Sequence, residues 1–135
     1  MVSQKTAPYG VLMLRVLLGG LFLAHAALKY FVFTPQGTEK FFVSLGLPGE
    51  FGLVIMALEA VAGCMLILGL YARLTALVMI PDLLGAIVLV HWQNGFFFDN
   101  PNGGWEYPLV WAVSLLVLAL LGDGALAMKR TPWLP

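Results

Sequence analysis

Charged side chains are scarce in this sequence: seven basic and seven acidic residues make up 10% of its 135 positions. A soluble helical domain needs a polar face on most of its helices, so this scarcity excludes an ordinary water-soluble bundle. A formal net charge of zero leaves no sustained basic surface, and nucleic acid is excluded as a partner. Cysteine is nearly absent too. Cys64 stands alone, so the chain has no internal disulfide and no Cys-x-x-Cys dithiol. It also lacks the cysteine set of an iron–sulfur cluster, and no flavin or haem motif is present. The place of Cys64 inside an apolar helical stretch predicts a small, buried side chain.

Hydrophobic residues are abundant, at 61% of the chain with a mean hydropathy of +0.93. Four apolar runs, at about 9–33, 51–70, 74–92 and 107–124, are each long enough to cross a hydrocarbon core of roughly 30 Å. They predict an all-α integral membrane protein: a compact four-transmembrane-helix bundle formed by one domain over 1–135. No Ala-x-Ala pattern follows the first run, which is therefore expected to be a mature helix and not a signal peptide. The first outer loop carries Pro35, Gly37, Gly46, Pro48 and Gly49, which read as turns. Between them, 39–45 predicts a short interfacial helix with Phe41, Phe42 and Leu45 on its apolar side. Pro81 denies the carbonyl of Leu77 its helical partner, so a kink or local rearrangement is expected in the third run.

Lys5, Arg15, Arg73, Lys129 and Arg130 fall on one side of such a bundle, with only Lys29 and Lys40 on the other. The positive-inside rule then predicts both termini in the cytoplasm and residence in the inner (cytoplasmic) membrane. Trp92, Trp105, Tyr107 and Trp133 are expected in the aromatic belts at the two interfaces.

Helical rise converts position into depth. His25 and Lys29 are four apart on one helix face, and Glu59 comes level with His25 on the second helix. His91 ends the third helix on the same outer side, where Glu106 starts the fourth. Ionisable groups in lipid are costly unless they pair or face a cavity, so His25, Lys29, Glu59, His91 and Glu106 form a candidate site for ligand binding or proton transfer. The same residues have plainer uses: Lys29 can snorkel, and a Glu59 pair can simply fasten two helices. Asp82 lies nearer the midplane beside Pro81, and two roles stay open for it, a hydrogen-bonded structural carboxyl or a proton-transfer or ligand group. Arg15 and Asp123, at comparable depth on the inner side, are expected to pair as a structural anchor. Gly19, Gly20, Ala24, Ala60, Gly63, Gly85 and Ala86 permit close helix contacts. No metal-ligand spacing is present: His25, Glu59 and His91 are too far apart in sequence to specify one.

The order and spacing of these pieces resemble the DoxX family of small bacterial and archaeal membrane proteins. The resemblance rests on Arg15 with Gly19-Gly20; His25-Ala26-Ala27-Leu28-Lys29; Gly46-Leu47-Pro48; Glu59 with Gly63; Leu68-Gly69-Leu70-Tyr71-Ala72-Arg73; His91 with Asn94-Gly95-Phe96-Phe97; and Glu106. Ala26 departs from the glycine usual after the histidine. Ala127 and Lys129 replace the serine and final aspartate of a terminal Gly-x-Gly signature. The resemblance implies a four-helix membrane fold and a link to oxidoreductase complexes, including similarity to a subunit of thiosulfate:quinone oxidoreductase.

On that basis the expected function is a redox-associated membrane protein. It would bind a quinone or similar lipid-soluble molecule in its outer half, as a subunit of an oxidoreductase complex. Lys29 and His25 would donate hydrogen bonds and Glu59 would relay protons. A non-catalytic membrane partner or organiser, and a small-molecule transporter or sensor, are the competing readings; a transporter would need an oligomer to build two gates. Expected partners are membrane lipid, a membrane or redox protein, and further copies of the chain.

Overall fold

A computed structural model describes residues 1–132; Trp133, expected at an interface, lies outside the described residues. Pro8 opens the first helix, where its missing N–H costs nothing and its fixed φ suits a first turn. The order is α1 (Ala7–Ala27), α2 (Thr34–Ser44), α3 (Gly49–Leu68), α4 (Ala72–Ala86) and α5 (Glu106–Leu121), with no strands among the described residues. A π-helical turn, Leu28–Val32, extends α1, and another, Ile87–His91, extends α4 into a short 3-10 turn, Trp92–Asn94.

Three of these helical stretches, Ala7–Val32, Gly49–Leu68 and Ala72–Asn94, are long and apolar enough to cross a membrane; α5 is apolar but shorter, at 16 residues. The interfacial helix is longer than its sequence suggested. Pro35, expected to mark a turn, occupies the first turn of α2, and the Thr34 hydroxyl accepts the Gly37 N–H at 3.2 Å. Such a cap and an N-terminal proline start a helix as readily as they end one. Helical structure runs unbroken past Pro81; the departure from α geometry comes later, in the π turn that carries His91.

Tight connections follow from local chemistry. Gly69 adopts φ +70, donates to Leu66 and is followed by a Leu70 N–H bonded to Met65 at 2.8 Å, a Schellman termination. The chain re-enters a helix within three residues, so α3 and α4 are antiparallel. α1 packs chiefly on α3 and α4 on α5, while α2 lies across α3. The shared core holds Leu18, Phe22, Leu66, Met79, Leu83, Trp111, Leu115 and Leu118. Met13, Val54, Val61, Val78, Val88, Val110 and Leu120 point outward. An exterior as apolar as the interior is what lipid, and not water, tolerates. Cys64 belongs to that exterior; the buried position expected of it is not found, because its face of α3 has no neighbouring helix among the described residues.

Gly19 and Gly63 make the seam between α1 and α3. A β-carbon on Gly63 would lie 2.8 Å from the Gly19 carbonyl oxygen and 2.7 Å from Leu23. Gly63→Ala is therefore expected to force the helices apart and cost about 1–3 kcal/mol in a thermal or denaturant unfolding assay. Gly20→Ala, whose β-carbon meets nothing within 4 Å, is the control and should not lower stability. The packing role expected of Gly20 and Gly85 is not met among the described residues, where both face open space.

Candidate functional site

Lys29 sits in the π turn that ends the first long helix. Its ammonium bonds both oxygens of Glu59, at 3.1 and 2.9 Å, and the two side chains are 17% and 6% exposed. The π turn changes the partners of nearby carbonyls, and the carbonyl of Lys29 accepts the Thr38 hydroxyl of α2 at 3.0 Å. Thr38 is almost fully buried. Sequence reasoning missed it because a threonine in an amphipathic helix carries no signal of its own.

Glu59 also faces Asp82 of α4, and the two carboxyls stand within electrostatic range of each other and of Lys29. Asp82 therefore belongs to the same constellation as Lys29 and Glu59, where the depth count had set it apart. Both acids stand ten residues into antiparallel helices, about 15 Å along each, which is half of a 30 Å core. They meet at the middle.

His25 faces this group from α1 and interacts electrostatically with Lys29, Asp82 and His91. Its Nδ1 lies 2.9 Å from the Leu21 carbonyl. A carbonyl only accepts, so Nδ1 carries the hydrogen and Nε2 of the neutral ring is left as an acceptor. The ring lies against Trp111, with centroids 4.8 Å apart, and stacks on Tyr107 at 6.2 Å. Trp111 is another residue the sequence did not single out. It is 4% exposed, and its indole N–H has no hydrogen-bond partner among the described residues. A buried donor without a partner is costly, and it stands beside the one ring of the cluster.

His91 and Glu106 are placed differently from the expectation. The Nδ1 of His91 donates to the Gly103 carbonyl at 2.9 Å, and a Glu106 oxygen accepts the Phe98 N–H at 3.0 Å. Both hold the loop between α4 and α5. His91 stays within electrostatic range of His25, whereas Glu106 makes its side-chain bond to the loop alone. No group of three or more His, Cys, Asp or Glu side chains suited to a metal occurs among the described residues.

A lipid-open groove of about 350 Å³ runs between α1 and α3, lined by Leu23, Ala26, Tyr30, Phe31, Met56 and Ala60, among others. Tyr30 and Ala60 adjoin Lys29 and Glu59 in the chain, though neither charged residue lines the groove itself. Small residues make its floor and aromatic rings its rim.

At the opposite edge, Arg15 is 1% exposed. Its guanidinium bonds the backbone carbonyls of Asp123 and, at 3.2 Å, Ala125. The two expected residues do meet, but through the main chain of Asp123. The Asp123 carboxylate instead accepts from the N–H groups of Arg73 and Thr131 and from the Thr131 hydroxyl. Burial alone would raise this carboxyl; those donors outweigh it and hold it below the ordinary carboxylate value. The strap after α5 is thereby laced to the start of α1 through Ala125 and Pro8, and to the α3–α4 turn through Lys129 and Tyr71.

Comparison with known proteins gives a consistent family. The DoxX family model matches residues 10–92. A Bacillus subtilis (strain 168) protein named "Putative oxidoreductase CatD" is 32% identical over 125 residues, covering 93% of this chain and 88% of its own. An uncharacterized Haemophilus influenzae protein is 29% identical over 133 residues, covering 94% and 93%. No solved structure matches this chain.

Proposed function

This chain belongs to the DoxX family of multi-pass membrane proteins, and on that premise we propose that it binds a quinone or related lipid-soluble molecule beside the Lys29–Glu59 pair, within an oxidoreductase complex. The observation that carries this reading is the Lys29–Glu59 ion pair, its carboxylate 6% exposed, with Asp82 and His25 in electrostatic range and an apolar groove between the same two helices, α1 and α3. Charges so placed are costly, and their retention beside an entry for a lipid-soluble molecule favours use over fastening. The relative named an oxidoreductase supports a link to redox chemistry.

In this reading α1, α3, α4 and α5 each cross the inner membrane, with both termini cytoplasmic. A quinone head has two carbonyl oxygens and a flat apolar ring. Lys29 donates to one oxygen and the groove takes the ring and tail. Reduction to the quinol consumes two electrons and two protons. The electrons come from a reduced protein partner, and the protons pass through Glu59, Asp82 and His25, whose Nε2 is an acceptor.

The test is direct titration of a short-chain quinone into protein held in nanodiscs. Lys29→Met and Glu59→Gln are each expected to weaken binding about tenfold, the value of one lost charge-assisted hydrogen bond, with helix content by circular dichroism unchanged. Wild-type affinity in both variants would remove the site assignment.

A further inference from the structure

α5 has 16 residues, which span about 24 Å, some 6 Å less than a typical hydrocarbon core. Yet α5 packs along α4, and its inner end is fixed at the level of the other helix ends by the strap from Ala125 to Pro8. The shortfall therefore falls at the outer end, where residues 95–105 join α4 to α5. Those residues contain Phe96, Phe97 and Phe98, which are 40%, 60% and 68% exposed. Irregular backbone enters an apolar medium only if its polar groups are satisfied from within.

Much of this loop's polar backbone is satisfied from within. The N–H groups of Gly104, Trp105 and Glu106 bond the carbonyls of Phe97, Gly95 and Phe96 at 3.0, 3.0 and 2.9 Å. Gly103 bonds Asn100 and Asn100 bonds Phe97. The Phe98 N–H is taken by Glu106, and the Asn94 amide bridges the carbonyls of Val90, Asn102 and Gly103. Asn100 donates back to Asn94, and His91 holds Gly103. Gly104 has no room for a side chain, since a β-carbon would lie 2.3–2.5 Å from the carbonyl oxygens of Gly95, Phe96 and Phe97. Trp92 and Trp105 stack at 5.5 Å under the loop.

We infer that the α4–α5 loop is sunk into the outer leaflet, with Phe97 and Phe98 seated among lipid at the headgroup–acyl boundary, and that His91, Asn94 and Glu106 serve to close its polar backbone. The occupant is lipid because the missing length of α5 places the loop at that depth, and because phenylalanine carries no polar tip that would need water or a partner's hydrogen bonds. The inference borrows only the fourth crossing from the proposed reading; it is independent of any quinone.

The experiment labels Phe97→Cys and Phe98→Cys, each in a Cys64→Ser background, with an environment-sensitive fluorophore in phosphatidylcholine nanodiscs. Lipid brominated near the headgroup should remove more than half of the emission at both positions, while aqueous iodide should quench them far less than a Gln4→Cys control. Efficient iodide quenching at both sites would overturn the inference by placing the loop in water. Protection from iodide without quenching by brominated lipid would overturn it by placing protein over the loop. A reporter fused to the C-terminus separates the premise from the inference: an outer C-terminus removes the fourth crossing, whereas a cytoplasmic one leaves the quenching result to decide the loop alone.

Discussion

Lys29→Met is expected to lower the unfolding free energy by about 3 kcal/mol at neutral pH, whereas Lys29→Met combined with Glu59→Leu recovers most of that loss. The single change leaves the Glu59 carboxylate, 6% exposed, against Asp82 with no cation bonded to it. Removing one partner of a buried pair costs more than the pair ever contributed, because the remaining charge has neither water nor counterion. Replacing both partners by apolar groups removes that penalty along with the attraction. Glu59→Leu alone should cost less than Lys29→Met, since the lysine stem can turn its ammonium toward the headgroups. Unfolding of the three variants in nanodiscs gives the coupling energy. Losses that merely add would mean that the two side chains stabilise the fold independently.

The second large effect concerns the inner edge. Asp123→Ala is expected to cost about 3–5 kcal/mol, because it takes the acceptor from the N–H groups of Arg73 and Thr131 and from the buried Thr131 hydroxyl. The local consequence is larger than the global one. With the carboxylate gone, the strap from Ala125 to Thr131 loses its clasp, and its amides should exchange with deuterium well before the helices do. Acid should reproduce this in the wild type. The folded-state carboxyl is held below its ordinary value, so its contribution is complete above the unfolded value of about 3.9 and disappears as pH falls from there through the lowered folded value. Stability should therefore be flat from neutral pH down to about 4 in this respect and then decline. Asp123→Asn should lack that acid-dependent step. An unaltered acid limb in Asp123→Asn would show that the carboxylate is not the clasp.

The two ends of the molecule thus divide the polar residues between them by physical need. At the inner edge, the Asp123 carboxylate takes the N–H groups of Arg73 and Thr131 and the Thr131 hydroxyl, beside helix ends whose backbone must be held. Toward the middle, Lys29 pairs with Glu59, and Asp82 and His25 stand within electrostatic range of the pair. Lys29 and His91 both occupy π turns. Such turns rotate the side chains that follow them, which aims Lys29 inward across the α1–α3 seam and His91 toward the loop carbonyl of Gly103.

Much of this was legible in the sequence. Scarcity of charge and long apolar runs dictate helices in lipid, because unsatisfied backbone in hydrocarbon is prohibitive and helices satisfy it locally. Depth brought Glu59 level with His25 and near Lys29; packing chose Lys29 as its partner. Asp82 could have been brought into the cluster by the same count, since ten residues from either end of a spanning helix is the same midplane; treating it as a feature of Pro81 obscured that.

What only the tertiary structure decided are the choices among partners that depth leaves equal. Arg15 and Asp123 stand level, yet whether the guanidinium takes a carboxylate or a carbonyl depends on which atoms the strap presents. His91 and Glu106 stand at the outer rim, yet a loop that must close its own backbone claims both. The orphan N–H of Trp111 and the exposed thiol of Cys64 depend on which helix faces are covered, and hydrophobicity on every side of a membrane helix erases the amphipathic signal that would say so. Sequence thus set the solvent and the depth of each polar group; packing set its neighbour.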